Sequence, residues 1–165
     1  MSLTTVNLLS RLTDADHYPD RPNRFHAQGV WESRQTVVHY ALTVDHDQQE
    51  WSARDLTNGI DSSFRDGTLT TGAEQSPSRS YRARVTNSLL QLLFPEHLPV
   101  WGRANRDTDT PIATEDLGDG RTLVLLKSLQ DPALRKTLVI DNHTGLITRF
   151  YDSLTATALD GITQF

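Results

Sequence analysis

The chain has no cysteine and one methionine among its 165 residues. Without thiols there are no disulfides, no thiolate metal sites and no sulfur nucleophile, which removes the disulfide-stapled scaffolds and all cysteine chemistry. Long apolar runs are missing as well. The richest, Leu89 to Phe94, is interrupted by Gln91 and stopped by Pro95, far short of the roughly 18 apolar residues a spanning helix needs. No basic leader and apolar stretch precede a small-residue cleavage site between Met1 and Arg11, so the opening does not read as a signal peptide, and a cytoplasmic location is expected. Excess basic charge is absent too. A formal net charge of −5 works against binding phosphate backbones or anionic membranes, so nucleic acid is not an expected partner.

What is present suffices for one domain over residues 1–165. A chain of this length buries roughly two-thirds of its unfolded surface without staples. With 36% hydrophobic and 22% charged residues it is polar, but not so depleted of apolar side chains that disorder is the default.

Leu3, Val6, Leu9 and Leu12 fall on one helical stripe, and Asp14, Asp16 and Pro19 break it, which predicts a short N-terminal helix. Tyr18 to Arg24 reads as a surface connector. In the segment from Gln35 to Asp45, Val38, Tyr40, Leu42 and Val44 share one face and His39, Ala41 and Thr43 the other, the period of a half-buried strand. Asn58-Gly59 and Asp66-Gly67 are hairpin-turn dipeptides. Tyr81, Val85, Leu89, Leu92 and Leu93 recur at helical spacing and predict the main helix between Tyr81 and His97, ended by Pro95 and Pro99. Trp101 to Thr114 reads as a loop. The runs Thr122 to Leu126, Thr137 to Ile140 and Leu146 to Tyr151 predict a three-strand meander. Leu123 to Leu126 is apolar at every position, so this strand is expected to be covered on both faces, by helices or by an apolar guest.

That order of elements, ending in Val139-Ile140-Asp141-Asn142-His143-Thr144-Gly145-Leu146-Ile147-Thr148-Arg149-Phe150, resembles the lipoprotein-carrier-like (LolA-like) half-barrel superfamily. Its local signature is an acidic residue, a Thr-Gly turn and an apolar outgoing strand, here Asp141, Thr144-Gly145 and Leu146. The resemblance implies an α+β fold: a curved antiparallel β-sheet, a half-barrel, packed against the N-terminal and mid-chain helices, with room for acyl chains between. Because the opening residues carry no secretion leader, the resemblance implies the fold and not periplasmic lipid transport.

No motif names a reaction, and no catalytic residue, metal site or cofactor is assigned. His17, His26, His39, His46, His97 and His143 lack the spacings that aim two imidazoles at one ion. Asp14-Ala15-Asp16 fails as a calcium loop because Pro19 and Phe25 stand where glycine and a bidentate glutamate are needed. Asp107, Asp109, Asp116 and Asp119 read as turn and cap residues. There is no Gly-x-Ser-x-Gly elbow, and Gly118-Asp119-Gly120 leads into a strand rather than a phosphate-cradling helix. Arg79, Arg82 and Arg84 crowd the start of the expected main helix, where the dipole disfavours cations; paired acids or an anionic partner would offset them.

Three readings follow. The first is a binding protein holding an apolar or lipid-like small molecule between sheet and helices, with Trp31, Tyr40, Trp51, Leu123 and Leu125 as lining residues. The second is a protein-interaction or regulatory module docking another chain through an apolar face. The third, ranked last, is an enzyme in which His39, Arg54 and Asp55 converge in a pocket.

Overall fold

The computed structural model describes residues 5–14, 17–77 and 87–165. The element order is α1 (Thr5–Thr13), β1 (Arg24–Ser33), β2 (Val37–Asp45), β3 (Glu50–Asp55), β4 (Asp61–Arg65), β5 (Thr68–Thr71), β6 (Glu74–Pro77), α2 (Ser88–Leu93), a 3-10 turn at Pro95–His97, β7 (Asp109–Gly118), β8 (Arg121–Ser128), β9 (Arg135–Asp141), β10 (Ile147–Tyr151) and β11 (Thr155–Gln164). All the strands join one antiparallel sheet ordered β6-β5-β4-β3-β2-β1-β11-β10-β9-β8-β7. Two meanders, β1 to β6 and β7 to β11, are thus fused where the first strand pairs with the last. The sheet is open, with β6 and β7 as edges, and α1 and α2 pack on it: an α+β half-barrel, as the resemblance implies.

The inner face follows from strand alternation. Phe25, Ala27 and Gly29 of β1, then Val38, Leu42 and Val44 of β2, are buried while their neighbours Arg24, His26, Gln28, Val37 and His39 are exposed. The face assigned from the sequence to Val38, Tyr40, Leu42 and Val44 is therefore the inner one. Turns set the register. Asp66 (φ 49°) and Gly67 (φ 71°) both take the left-handed conformation that a two-residue hairpin requires, closing β4 onto β5.

The chain leaves the sheet at β6 and returns at β7, the opposite edge, and the described part of the intervening segment, from Asn87 on, lies on the inner face. There α2 packs against β1, β10 and β11. The helix is shorter than the spacing predicts: Tyr81, Val85, Arg79, Arg82 and Arg84 lie outside the described residues, and α2 occupies Ser88–Leu93 alone. Asn87 caps it, its side chain accepting hydrogen bonds from the N–H groups of Leu89 (3.0 Å) and Leu90 (3.3 Å). Pro95 opens the 3-10 turn instead of extending the helix. Leu89, Leu90, Leu92 and Leu93 are all buried. The approach to β1 is close: a Cβ on Gly29 would lie 2.6 Å from Leu89 Cδ2.

Residues 98–109 are braced, not structureless. Asp107 Oδ2 accepts from the backbone N–H of Trp101 (3.0 Å) and Arg103 (2.8 Å), while the Arg103 guanidinium clasps the Asp107 carboxylate and donates to the carbonyls of Glu96 (2.9 Å) and Leu98 (2.8 Å). The Trp101 indole N–H donates to the Pro95 carbonyl at 2.6 Å. The strand that follows starts at Asp109, inside the stretch read as loop. Its residues Ala113 to Gly118 are exposed, so no alternation marks it. The three-strand meander is accordingly five strands long, β7 and β11 having escaped the sequence pattern.

The run Leu123 to Leu126 is covered differently from the expectation. Val124 and Leu126 are completely buried on the inner face, whereas Leu123 and Leu125 are half-buried on the outer face, with no helix above them among the described residues. They are shaded sideways by the flanking strands, where Glu115 and Val139 stand opposite Leu123, and Ala113 and Thr137 opposite Leu125. Lateral cover on a bent sheet does there what a second layer was expected to do.

At the Asp141 turn, the carboxylate accepts the His143 N–H (3.0 Å) and the Thr144 hydroxyl (2.7 Å). Arg21 donates from Nε and Nη2 to the carbonyls of Thr144 (2.7 Å) and Gly145 (3.0 Å). The signature turn is a docking point for the N-terminal connector. Gly145 (φ 66°) leaves the space that Tyr18 and Arg21 fill.

Two outcomes test this packing. Gly29→Val, which drives a branched side chain into Leu89, is expected to lower stability by about 2 kcal/mol, a fall in Tm of roughly 4–8 °C for a chain of this size. The outward-facing Gln28→Val should change stability by no more than about 0.5 kcal/mol. Burial opposes charge on Asp107, but hydrogen bonds from Arg103, its charge and the Trp101 N–H hold the carboxyl below the usual carboxylate range. A depressed acid contributes stability above its unfolded pKa and loses it as pH falls through the folded one. Asp107→Asn should therefore cost about 1–3 kcal/mol at pH 7, and the gap between the melting curves of the two proteins should close on acidification below about pH 4.

Candidate functional site

Hairpin connections alternate between the two ends of an antiparallel sheet. The turns at 34–36, 56–60, 129–134 and 152–154 and the start of β7 gather at one end, as the pairings Ser33↔Thr155, Tyr40↔Asp55 and Tyr151↔Thr137 require. At that end, between the sheet and the crossing segment, is a cavity of about 220 Å³ that is open to solvent on one side. Trp31, Phe150, Thr155 and Thr157 come from the sheet, Ser88 and Gln91 from α2, and Leu98, Pro99 and Val100 from the braced segment. Trp31, Thr157 and Phe150 form one cross-strand row, because Trp31 pairs with Thr157 and Phe150 with Thr157.

The polar wall is Asp109 and Lys136. Asp109 is in register with Ser128, and Lys136 with Leu126, which places the two side chains on the inner face two strands apart. Lys136 Nζ meets Asp109 Oδ2 at 2.7 Å; the carboxylate is sealed from solvent and the Lys136 side chain is 25% exposed. The same Oδ2 accepts the Thr108 hydroxyl at 2.7 Å, while Oδ1, also buried, accepts no hydrogen bond from the described residues. Asp109 reads from the sequence as a turn residue, and its role as a buried ion-pair partner is legible only once Lys136 is brought beside it. The third charged residue at the cavity, Asp152, is committed to its turn: it accepts the N–H groups of Leu154 and Thr155, both at 2.7 Å, and the Thr155 hydroxyl at 3.0 Å.

Of the residues expected to line a ligand site, Trp31 borders the cavity. Trp51 is buried in the core on the same face. Tyr40 is a half-buried inner residue packed against that core; burial and the neighbouring Asp55 push its hydroxyl pKa up against the opposing pull of a hydrogen bond with Asn87. Leu123 and Leu125 are on the outer face, away from the cavity. An outer-face depression of about 550 Å³ is bordered by Val139, Arg149 and Tyr151 but by neither leucine.

The residues proposed for an enzyme do not converge. His39 is exposed on the outer face, Arg54 faces outward beside Asp61 at 3.5 Å, and Asp55 is buried as a turn cap. Its carboxylate accepts from the Asn58 and Thr57 backbone N–H groups and the Asn58 side chain, which holds its pKa down. Among the described residues no group of three or more His, Asp or Glu is placed to hold a metal ion. Nor is any described helix long and apolar enough to cross a membrane. An open groove of about 630 Å³ on the outer face of β3 and β4 is larger than the cavity, but its charges already pair with each other, as in Arg65 with Glu50 at 3.1 Å.

Neither a family model nor a curated protein matches the chain. Among solved structures, an uncharacterized conserved protein from Thermus thermophilus superposes with a TM-score of 0.56 at 9% identity, over 97% of this chain and 86% of that one. MucB in complex with MucA(peri) gives a TM-score of 0.48 at 15% identity, over 96% of this chain and 55% of that one. The MucA/MucB complex from Pseudomonas aeruginosa gives 0.48 at 13% identity, over 96% and 56%. This chain spans a little over half the length of those MucB chains. The likeness to the Thermus thermophilus protein extends over nearly all of this chain and is a likeness of fold.

Proposed function

We propose that this is a binding protein that holds a compact apolar or lipid-like guest between the sheet and the crossing segment. The observation that carries this is the cavity of about 220 Å³ walled by Trp31, Phe150, Leu98 and Val100. The space opens to solvent at one end of the sheet, and its aromatic and aliphatic walls suit an apolar occupant. Its volume is below the roughly 300–1,000 Å³ of drug-sized pockets. The guest is accordingly small, or is the inserted end of something larger. The crossing segment already fills the rest of the concave face with Leu89, Leu92, Phe94 and Trp101, all buried.

A second reading, a module that docks another protein, is favoured by one observation. Six exposed large apolar side chains are at the same end of the sheet: Val37 at the start of β2, and Leu56, Ile60, Leu129, Leu134 and Leu154 on turns. Apolar groups gathered at one end mark an interaction site more than scattered ones do. On this reading Leu129→Glu/Leu154→Glu should abolish any self-association seen by sedimentation; a native protein monomeric at all concentrations, with no partner retained, would remove its support.

The binding reading is tested with toluene as the guest. At tenfold above Kd, a bound guest should stabilise the fold by about 1.4 kcal/mol, a Tm rise of roughly 3–6 °C. Filling the space with Val100→Phe should erase the rise. A native protein whose Tm ignores toluene, and which keeps no small molecule in native mass spectrometry, would overturn the proposal.

A further inference from the structure

The exposed apolar residues at the turns form a row that is complementary to itself. Counted outward from the seam between β1 and β11, the nearest turns at this end are β1 to β2 on one side and β10 to β11 on the other, and the next are β3 to β4 and β8 to β9. Val37 and Leu154 stand at the inner turns, Leu56 with Ile60 and Leu129 with Leu134 at the outer ones. Register fixes their heights as well. One line of the ladder runs through Val37, Glu32, Ala156, Tyr151, Thr137 and Leu125. Leu56, which donates its N–H to the His39 carbonyl, and Ile60, whose carbonyl accepts from Asp55, fall short of that line. Leu154, Leu134 and Leu129 overshoot it progressively. The tips therefore follow one oblique line with its midpoint at the seam, and a half-turn about that midpoint lays Ile60 on Leu129 and Leu56 on Leu134.

A surface with this property fits a second copy of itself, because an isologous two-fold contact requires residue i to meet j while j meets i. Each tip is between 43% and 62% exposed. Together the six display on the order of 500 Å² of apolar surface, as much as the largest patch on an ordinary monomer. Two copies would withdraw about 1,000 Å² of it from water, which the polar turn residues between the tips raise into the roughly 1,200–2,000 Å² range of specific pairs. Charge agrees. The same half-turn carries Arg34, exposed in one inner turn, toward Asp152 in the other. The turns at the opposite end of the sheet carry no exposed large apolar residue among the described residues, and Asp47, Asp66 and Asp119 stand exposed there, so that end repels its like. Resting on the docking reading above, we propose that the partner is a second copy of this chain, joined end to end across a two-fold axis, with Ile60 and Leu56 of each copy against Leu129 and Leu134 of the other.

Sedimentation velocity with Ile60→Lys and Leu129→Glu tests this. Both positions are exposed on turns, so the monomer should keep its Tm. The native protein should sediment as a dimer at about tens of micromolar. Each variant alone should associate at least about a hundredfold more weakly, because the two-fold axis enters every change twice. Mixed in equal amounts, the two should recover a dimer, since one contact between them is the native pair and the other joins opposite charges. A native dimer that neither variant weakens would overturn the proposal, as would a mixture that stays monomeric. So would a native monomer whose tips bind phosphatidylcholine vesicles. A native monomer that holds a different protein, and loses it in Leu129→Glu, would overturn the proposal and leave the docking reading intact. A native monomer that retains nothing would remove both.

Discussion

Pairing of the first strand with the last governs the rest of the molecule. Because β1 and β11 meet at the centre of the sheet, the two meanders grow outward from them and their free ends become opposite edges. The chain between β6 and β7 then has to pass from one edge to the other, and from Asn87 on it lies over the inner face. That passage brings α2 over β1, β10 and β11, supplies Leu89 to Phe94 to the core, and carries Leu98 to Val100 over the row of Trp31, Thr157 and Phe150. The ion pair of Asp109 and Lys136 holds the point where the segment rejoins the sheet.

The parts of this architecture visible in the sequence are those where one face meets water and the other does not. Strand β2 announced itself through Val38, Tyr40, Leu42 and Val44, and the Asp66-Gly67 turn through the φ values that dipeptide accepts. Strand β1 did not, because the inner face it offers to α2 carries Ala27 and Gly29, which are small to let the helix in and so erase the apolar beat. Strand β7 is exposed along most of its length and has no beat to detect. The loop before it is ordered by charge-assisted hydrogen bonds, which leave no periodic trace.

The candidate site was legible only in part. Trp31 was identifiable as a large aromatic in need of a surrounding, and it borders the cavity. Asp109 and Lys136 are 27 residues apart, and nothing local to either marks them as partners; their meeting is a product of register across β7, β8 and β9. The continuous apolar run of Leu123 to Leu126 pointed to two covered faces, and the outer one turns out to be shaded by neighbouring strands. An uninterrupted apolar stretch measures how much water is excluded and not what excludes it.

The two borders of the sheet differ from its centre in a way that bears on behaviour in a crowded solution. Strand β6, described over Glu74–Pro77, carries a proline, which has no amide hydrogen to offer. Strand β7 is interrupted by irregularities around Ile112 and Leu117 and displays Glu115 and Asp116. An imino acid, kinks and negative charge all discourage a foreign strand from continuing the ladder. A polypeptide whose sheet is this broad and unclosed would otherwise be a template for fibrils; here both margins are poor seeds for growth by strand addition.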